Sequence, residues 1–268
     1  MRSPTASRAS RIVGLAALVT TAAVVVLGGW VSPPDEVQGP LVRLIYVHPA
    51  LATYCYVGFG LSALGSLAYL WPRTRSRRWD RLAGASAEVG VVFCVGTLIT
   101  GSIWGRASWG VWWTWDARLT LTALLLAVFL GYLALRRSGG EPDSRAKRCA
   151  VAALLCFIVV PIDHEATSWW STLHQGDTIG KGILIHGLQL ETMLLSFVSF
   201  GLIFTWMLLH RLALETLEDR FESEGVVAAI AERRAEGRVK APVPPASVSA
   251  PAPASPPAGT SYRGEVKP

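Results

Sequence analysis

Charged residues are too scarce in this chain for a soluble domain. Only 16% of its 268 residues are Asp, Glu, Lys or Arg, against 51% hydrophobic, and its mean hydropathy is +0.38. That much apolar surface cannot be hidden inside one soluble core. Cysteine is scarce too. Cys55, Cys94, Cys149 and Cys156 all fall in or at the ends of apolar runs, and none stands in C-x-x-C or C-x-x-C-H. This argues against a disulfide framework, a zinc site and covalent haem attachment, and leaves buried thiols as the default. Familiar catalytic signatures are missing as well. Gly176-Asp-Thr-Ile-Gly180-Lys181-Gly182 is one residue short of a phosphate loop and lacks the Ser or Thr after its lysine. His164-Glu165 has no second histidine to complete a zinc-protease helix, and no Ser/His/Asp set stands out. The chain carries no ATPase or hydrolase motif.

What it has instead is long apolar runs, several of them near the ~20 residues that cross a ~30 Å hydrocarbon core. Six are apparent: Ile12–Trp30, Pro49–Trp71, Leu82–Ile103, Leu119–Leu135, Cys149–Pro161 (extending to about His164) and Gly182–Leu209. Membrane spans of this kind must be helices that satisfy their own backbone hydrogen bonds. The fold class is therefore all-α, a polytopic membrane protein with six transmembrane helices. The first run is long for a signal peptide and lacks a clear cleavage site, so it reads as a retained helix. Residues 1–211 form the transmembrane domain. Residues 212–239 have the composition of a charged helical extension, and residues 240–268, rich in Pro, Ala and Ser, read as a disordered tail.

The net charge of +6 reflects topology, and nucleic acid is not among the expected partners. Arg2, Arg8 and Arg11 precede the first run. Arg73, Arg75, Arg77, Arg78 and Arg81 fill the second connection, and Arg136, Arg137, Arg145, Lys147 and Arg148 the fourth. Connections one, three and five carry only Arg43, Arg106, Arg118 and Lys181. By the positive-inside rule both termini are cytoplasmic and the odd connections face outward.

The outward connections hold the aromatic residues. Trp104, Trp109, Trp112, Trp113 and Trp115 fall within twelve residues, followed by Asp116 and Arg118, and Trp169 and Trp170 lie in the next outer connection. Seven of eleven tryptophans thus sit on one side, whereas an interfacial aromatic belt would be symmetric. The asymmetry favours an indole surface for a flat conjugated ligand, an outer-face Trp-rich loop. His48, His164, His174 and His186 map to the same side, and only His210 maps inside. His48 precedes Pro49, which places it at the outer end of the second helix with its ring free. Neutral imidazole suits haem iron, indoles suit a porphyrin face, and the outer cations suit its carboxylates. Asp116 is placed to cap the fourth helix. Glu88 is close enough to the inner end to snorkel or to pair with an inner arginine, while Glu191 falls a third to half-way into the last span. Gly58, Ser62 and Ser66, spaced by four, offer a face for close helix packing.

The stretch Trp104-Gly-x-x-x-Trp109-Gly-x-Trp112-Trp113-x-Trp115-Asp116-Ala-Arg118-Leu-Thr120 resembles the tryptophan-rich signature of haem-handling membrane proteins. Trp169-Trp170-x-Thr172-Leu173-His174-Gln175 resembles that of one branch, the haem-handling protein C (CcmC) family of the cytochrome c maturation system. The resemblance runs from about Ile12 to Leu209. It implies a bacterial cytoplasmic membrane protein that holds haem b non-covalently and transiently at its outer face. Axial ligands would be His48 and His174, beside Trp104, Trp109, Trp112, Trp113, Trp115, Asp116, Arg118, Trp169 and Trp170. It also implies partners: a membrane-anchored haem chaperone that receives the haem, ABC-type ATPase and permease subunits, a small helical subunit, and membrane lipid. The family pattern places one residue between the first histidine and the proline, whereas here Pro49 follows His48 directly.

Three rivals compete with this reading. A membrane b-type cytochrome would bury haem between helical histidines, and only His186 has such a position. A transport subunit, such as the haem export permease of an ABC-type complex, needs a polar path, for which Glu191 and Gln189 give a thin case. The larger haem channel of another cytochrome c assembly route is disfavoured by the six helices and the Trp-Trp-x-Thr-Leu-His-Gln motif.

Overall fold

A computed structural model of the chain describes residues 7–34, 39–174 and 185–239. All regular structure among them is helical: α1 (Arg8–Val26), α2 (His48–Leu70), α3 (Arg77–Trp109), α4 (Ala117–Arg136), α5 (Pro142–Phe157), α6 (Val159–Trp169) and α7 (Leu188–Val239). A π-helical turn, Leu27–Val31, extends α1, and a 3-10 segment, Pro40–Tyr46, leads into α2. Six stretches are long and apolar enough to cross a bilayer: Arg8–Val31, Leu41–Leu70, Arg77–Trp109, Ala117–Arg136, Pro142–Trp169 and Leu188–Glu218. The chain is a multi-pass membrane protein. It divides into two compact units, Met1–Arg220 and Phe221–Pro268. The bundle belongs to the first, and the described part of the second, 221–239, is helical. The expected tail, 240–268, lies outside the described residues.

The spans are longer than their apolar cores because polar residues start and stop them. Ser76 caps α3 through a hydrogen bond to its side chain from the Arg78 amide, and Gly110 ends that helix at φ 78°. At ~1.5 Å per residue, the 33 residues of α3 are longer than the hydrocarbon core is thick. Glu141 caps α5 by accepting from the amides of Asp143 and Ser144 at 3.0 and 2.7 Å, with Pro142 in the first turn. The fifth span runs well past Pro161. That proline has no N–H to give the Phe157 carbonyl and crowds it, so the helix is interrupted at Ile158 and resumes as α6. Pro161 bends this span instead of ending it.

The tightest seam is between α2 and α3. A Cβ on Gly58 would stand 2.7 Å from the Gly90 Cα, and one on Gly65 would stand 2.9 Å from the Trp79 carbonyl. Ser62 and Ser66 are fully buried on the same face. Small residues at this spacing let two helix backbones approach closely. Around the seam, Phe59 stacks on Phe129 of α4 with centroids 3.7 Å apart, and Cys55, Phe93, Cys94, Leu125, Cys149 and Phe204 complete the core. All four cysteines are free thiols. At the other edge, α1 leans on α7 through Ser10 with His210 and Thr21 with Ser199, both at 2.8 Å.

The arginine-rich end of the bundle is tied by ion pairs. Arg136 donates to Asp80 at 2.8 and 3.3 Å, and Lys147 lies 2.7 Å from Asp143. Glu88 pairs with Arg211 of α7, as its position near that end suggested. Glu191 differs from expectation. Because α7 begins at Leu188, this carboxylate falls in the first helical turn and is exposed, where it faces the positive end of the helix dipole.

The seam makes a differential prediction. Gly58→Ala drives a methyl into backbone, and overpacking of this kind costs about 1–3 kcal/mol. Gly131→Ala on α4, with nothing within 4 Å of the added Cβ, should be neutral or gain about 0.5–1 kcal/mol of helix propensity. Thermal unfolding in detergent separates the two. Equal midpoints for both variants would contradict the close-packed seam.

Candidate functional site

The aromatic stretch and two histidines converge at the end opposite the arginines. Trp104 and Trp109 belong to the last turns of α3, and the connection proper runs from Gly110 to Asp116. His48, the first residue of α2, packs edge-on against Trp104 with centroids 5.7 Å apart. His174 approaches from the segment after α6. Its ring centroid lies 6.3 Å from that of His48, with the planes tilted by 41°, and Trp109 stands edge-on to it at 6.5 Å. Two histidines 126 positions apart in sequence thus face each other.

The ring of His48 is anchored, where the sequence suggested that it would be free. Its Nδ1 is 3.0 Å from the Thr100 hydroxyl. A Cβ at Gly101 would come within 3.0 Å of its Cε1, so the glycine gives the ring its seat. Pro49, directly after His48, occupies the first turn of α2, where its missing N–H costs nothing.

Asp116 works in two directions. One carboxylate oxygen accepts from the Leu119 amide at 2.9 Å and caps α4; the other accepts from the Leu173 amide at 3.2 Å. The residue that starts α4 therefore also holds the backbone next to His174. That backbone is tightened further by the Thr172 hydroxyl, which accepts from the His174 amide at 3.0 Å.

The remaining aromatics spread outward. Trp112, Trp115, Trp169 and Trp170 are 60%, 81%, 59% and 49% exposed. Trp113 packs edge-on to Trp115 at 5.6 Å, and Trp169 to Trp170 at 5.8 Å. Beneath this layer the Trp113 indole nitrogen and the Thr114 hydroxyl are buried atoms without a hydrogen-bond partner. A buried donor in that state costs about 1–3 kcal/mol until something accepts from it.

The cations expected at the outer face divide. Arg118 donates to the carbonyls of Asp163 and His164 at 2.7 and 2.8 Å and sits 4.0 Å from the Asp163 carboxylate. Arg106 donates to the Gly110 carbonyl at the end of its own helix. Arg43 is exposed on the 3-10 segment, and Lys181 and Gln175 lie outside the described residues, as does the phosphate-loop-like stretch. His164 packs edge-on to Tyr56 at 6.0 Å, and His186 is exposed just before α7.

Two sets of residues escaped the sequence reading. Thr100 and Gly101 stand one helical turn before Trp104, and extending α3 through Trp109 would have put Thr100 and Trp104 on one face. Asp163 is fully buried and accepts from Tyr56 at 2.7 Å and Thr122 at 3.1 Å, besides facing Arg118. No local pattern marked it, because its partners lie on α2 and α4. This knot fastens α6 to α2 and α4 directly below the tryptophans.

Comparison with known proteins identifies the family. The sequence profile of the family described as "Heme exporter protein C" matches residues 2–227. A protein of that name from Haemophilus influenzae is 32% identical over 192 residues, covering 70% of this chain and 76% of its own. Another from Bradyrhizobium diazoefficiens is 32% identical over 203 residues, covering 72% and 73%. A "putative cytochrome c biosynthesis ccmC-like mitochondrial protein" of Arabidopsis thaliana is 34% identical over 203 residues, covering 75% of each. With its six spans and its paired aromatic signatures, the chain belongs to the heme exporter protein C family.

Proposed function

We propose that this protein binds haem between His48 and His174 at the outer face of a bacterial cytoplasmic membrane and hands it to a membrane-anchored haem chaperone for cytochrome c assembly. The observation that carries this reading is the separation of the two rings. Two metal–nitrogen bonds of about 2 Å, plus the half-widths of two imidazoles, sum to roughly 6 Å, and the centroids stand 6.3 Å apart. That separation fits one iron held by both histidines. The cargo is haem b, held without covalent attachment and released on transfer.

The surroundings suit that cargo. The indoles of Trp104 and Trp109 flank the two histidines and offer apolar surface to a porphyrin. Arg118, committed to α6, contributes positive charge near the site. The exposed Trp112, Trp115, Trp169 and Trp170 form an open apolar surface, the kind that marks an interaction site, and an open site lets a second protein reach the haem edge. The stacked Phe59 and Phe129 fill the middle of the bundle, which favours a surface site over a passage through this chain. The ABC-type ATPase and permease subunits and a small helical subunit are its proposed neighbours, with both termini cytoplasmic.

Visible spectra of haemin-reconstituted protein in detergent test the ligands. Wild type should give a low-spin Soret band, and His48→Ala and His174→Ala should each weaken or shift it. A spectrum indifferent to both changes would refute the assignment. Asp116→Asn tests how the second signature is held. Asparagine still caps α4 through its one oxygen but turns its amide NH2, a donor, toward the Leu173 N–H, whereas Asp116→Ala also loses the cap, at about 1 kcal/mol. The Asn variant should unfold near the wild-type temperature yet bind haemin more weakly. Wild-type affinity in Asp116→Asn would remove Asp116 from the placement of His174.

A further inference from the structure

We infer that Thr100 is a positioning residue for haem: it fixes His48 with its proton on Nδ1 and so presents a bare Nε2 lone pair to the iron. The inference rests on the proposed function for its haem readout and stands apart from it for its tautomer readout.

An imidazole can bind iron only through a nitrogen without a proton. Which nitrogen that is depends on the hydrogen bond made by the other one. The Nδ1 of His48 faces the Thr100 hydroxyl at 3.0 Å. A threonine hydroxyl has one proton to give. Thr100 spends it on its own helix, donating to the Gly96 carbonyl at 2.8 Å, in the back-bonded geometry common to helical threonine. The hydroxyl is then left with lone pairs toward His48, so Nδ1 must be the donor. The Thr97 carbonyl, on the preceding turn of α3, lies 3.3 Å from the same hydroxyl and is a second place on the helix for that proton. With the proton held at Nδ1, Nε2 is the ligating atom.

The backbone supports the same arrangement. A Cβ at Gly101 would stand 3.0 Å from Cε1 and 3.6 Å from Nδ1, so this glycine makes the wall on which the ring rests. Trp104, on the next turn, closes the ring's other side. The Thr100-Gly-Ser-Ile-Trp104 stretch of α3 is thus a cradle for one histidine. Outer partners of metal-bound histidines of this kind commonly set ligand orientation and basicity, and their removal costs about 10–100-fold in affinity.

The test uses the full chain in detergent with Thr100→Val, which keeps the shape and removes the acceptor, and Thr100→Ser, which keeps the acceptor. Nitrogen-15 NMR of histidine-labelled, haem-free protein, with His48 assigned by its loss in His48→Ala, reports the tautomer. Wild type and Thr100→Ser should carry the proton on Nδ1, and Thr100→Val should shift the Nδ1 resonance. Haemin titration should then show affinity falling about ten-fold in Thr100→Val and recovering in Thr100→Ser. A wild-type His48 protonated on Nε2 would overturn the inference, as would wild-type haemin affinity in Thr100→Val. Failure of wild-type protein to take up haemin would instead defeat the proposed function, and the NMR result would still decide the tautomer.

Discussion

The arrangement depends on how closely α2 and α3 can approach. Gly65 meets Ala83, Gly58 meets Gly90, Leu51 meets Gly96, and His48 meets Gly101. Each step toward the start of α2 is matched by a step toward the end of α3, so the two helices run antiparallel in a fixed register. Backbone contact in the middle of the bundle therefore sets where His48 lies at its end. In lipid, helices gain little from burying apolar side chains against one another, and close packing at small residues supplies much of the association. A glycine seam well inside the span thereby becomes the device that holds a histidine against Thr100 and Trp104.

The second histidine is placed by different means. His174 is not in a helix, so no seam can fix it. Its neighbours do so through polar contacts: Asp116 holds the Leu173 amide while capping α4, and Thr172 holds the His174 amide. Below them Arg118 and Asp163 lock the start of α4 to α6, from whose end the His174 segment departs. A rigid histidine on packed helices thus faces one on a hydrogen-bonded strap. For the proposed handover of haem, a strap held by a few hydrogen bonds is a natural point of give, since loops and elements with few buried contacts open at the lowest free-energy cost.

Much of this was legible in the sequence because bilayers impose coarse rules. Apolar runs of the right length located all six spans, and the aromatic asymmetry and the histidines picked out one end of the bundle. The capping role of Asp116, the pairing of Glu88 and the small-residue face of α2 also followed from local chemistry. The misplacements have a common origin, which is that hydropathy marks the hydrocarbon core and not the ends of helices. Glu191 seemed deep because its run appeared to begin at Gly182, whereas α7 starts at Leu188. Asp163 carried no local signal because its partners, Tyr56 and Thr122, lie on other helices. The ring of His48 seemed free because its partner, Thr100, is on another helix, and contacts between helices have no local signature.

The most direct test of the central claim is the position of iron in a density map of the haemin-loaded protein. The account predicts iron between His48 and His174, about 2 Å from each Nε2, with the porphyrin beside Trp104 and Trp109 and one edge open to solvent. Iron held by His164 or His186, or buried between helices in the middle of the bundle, would contradict it.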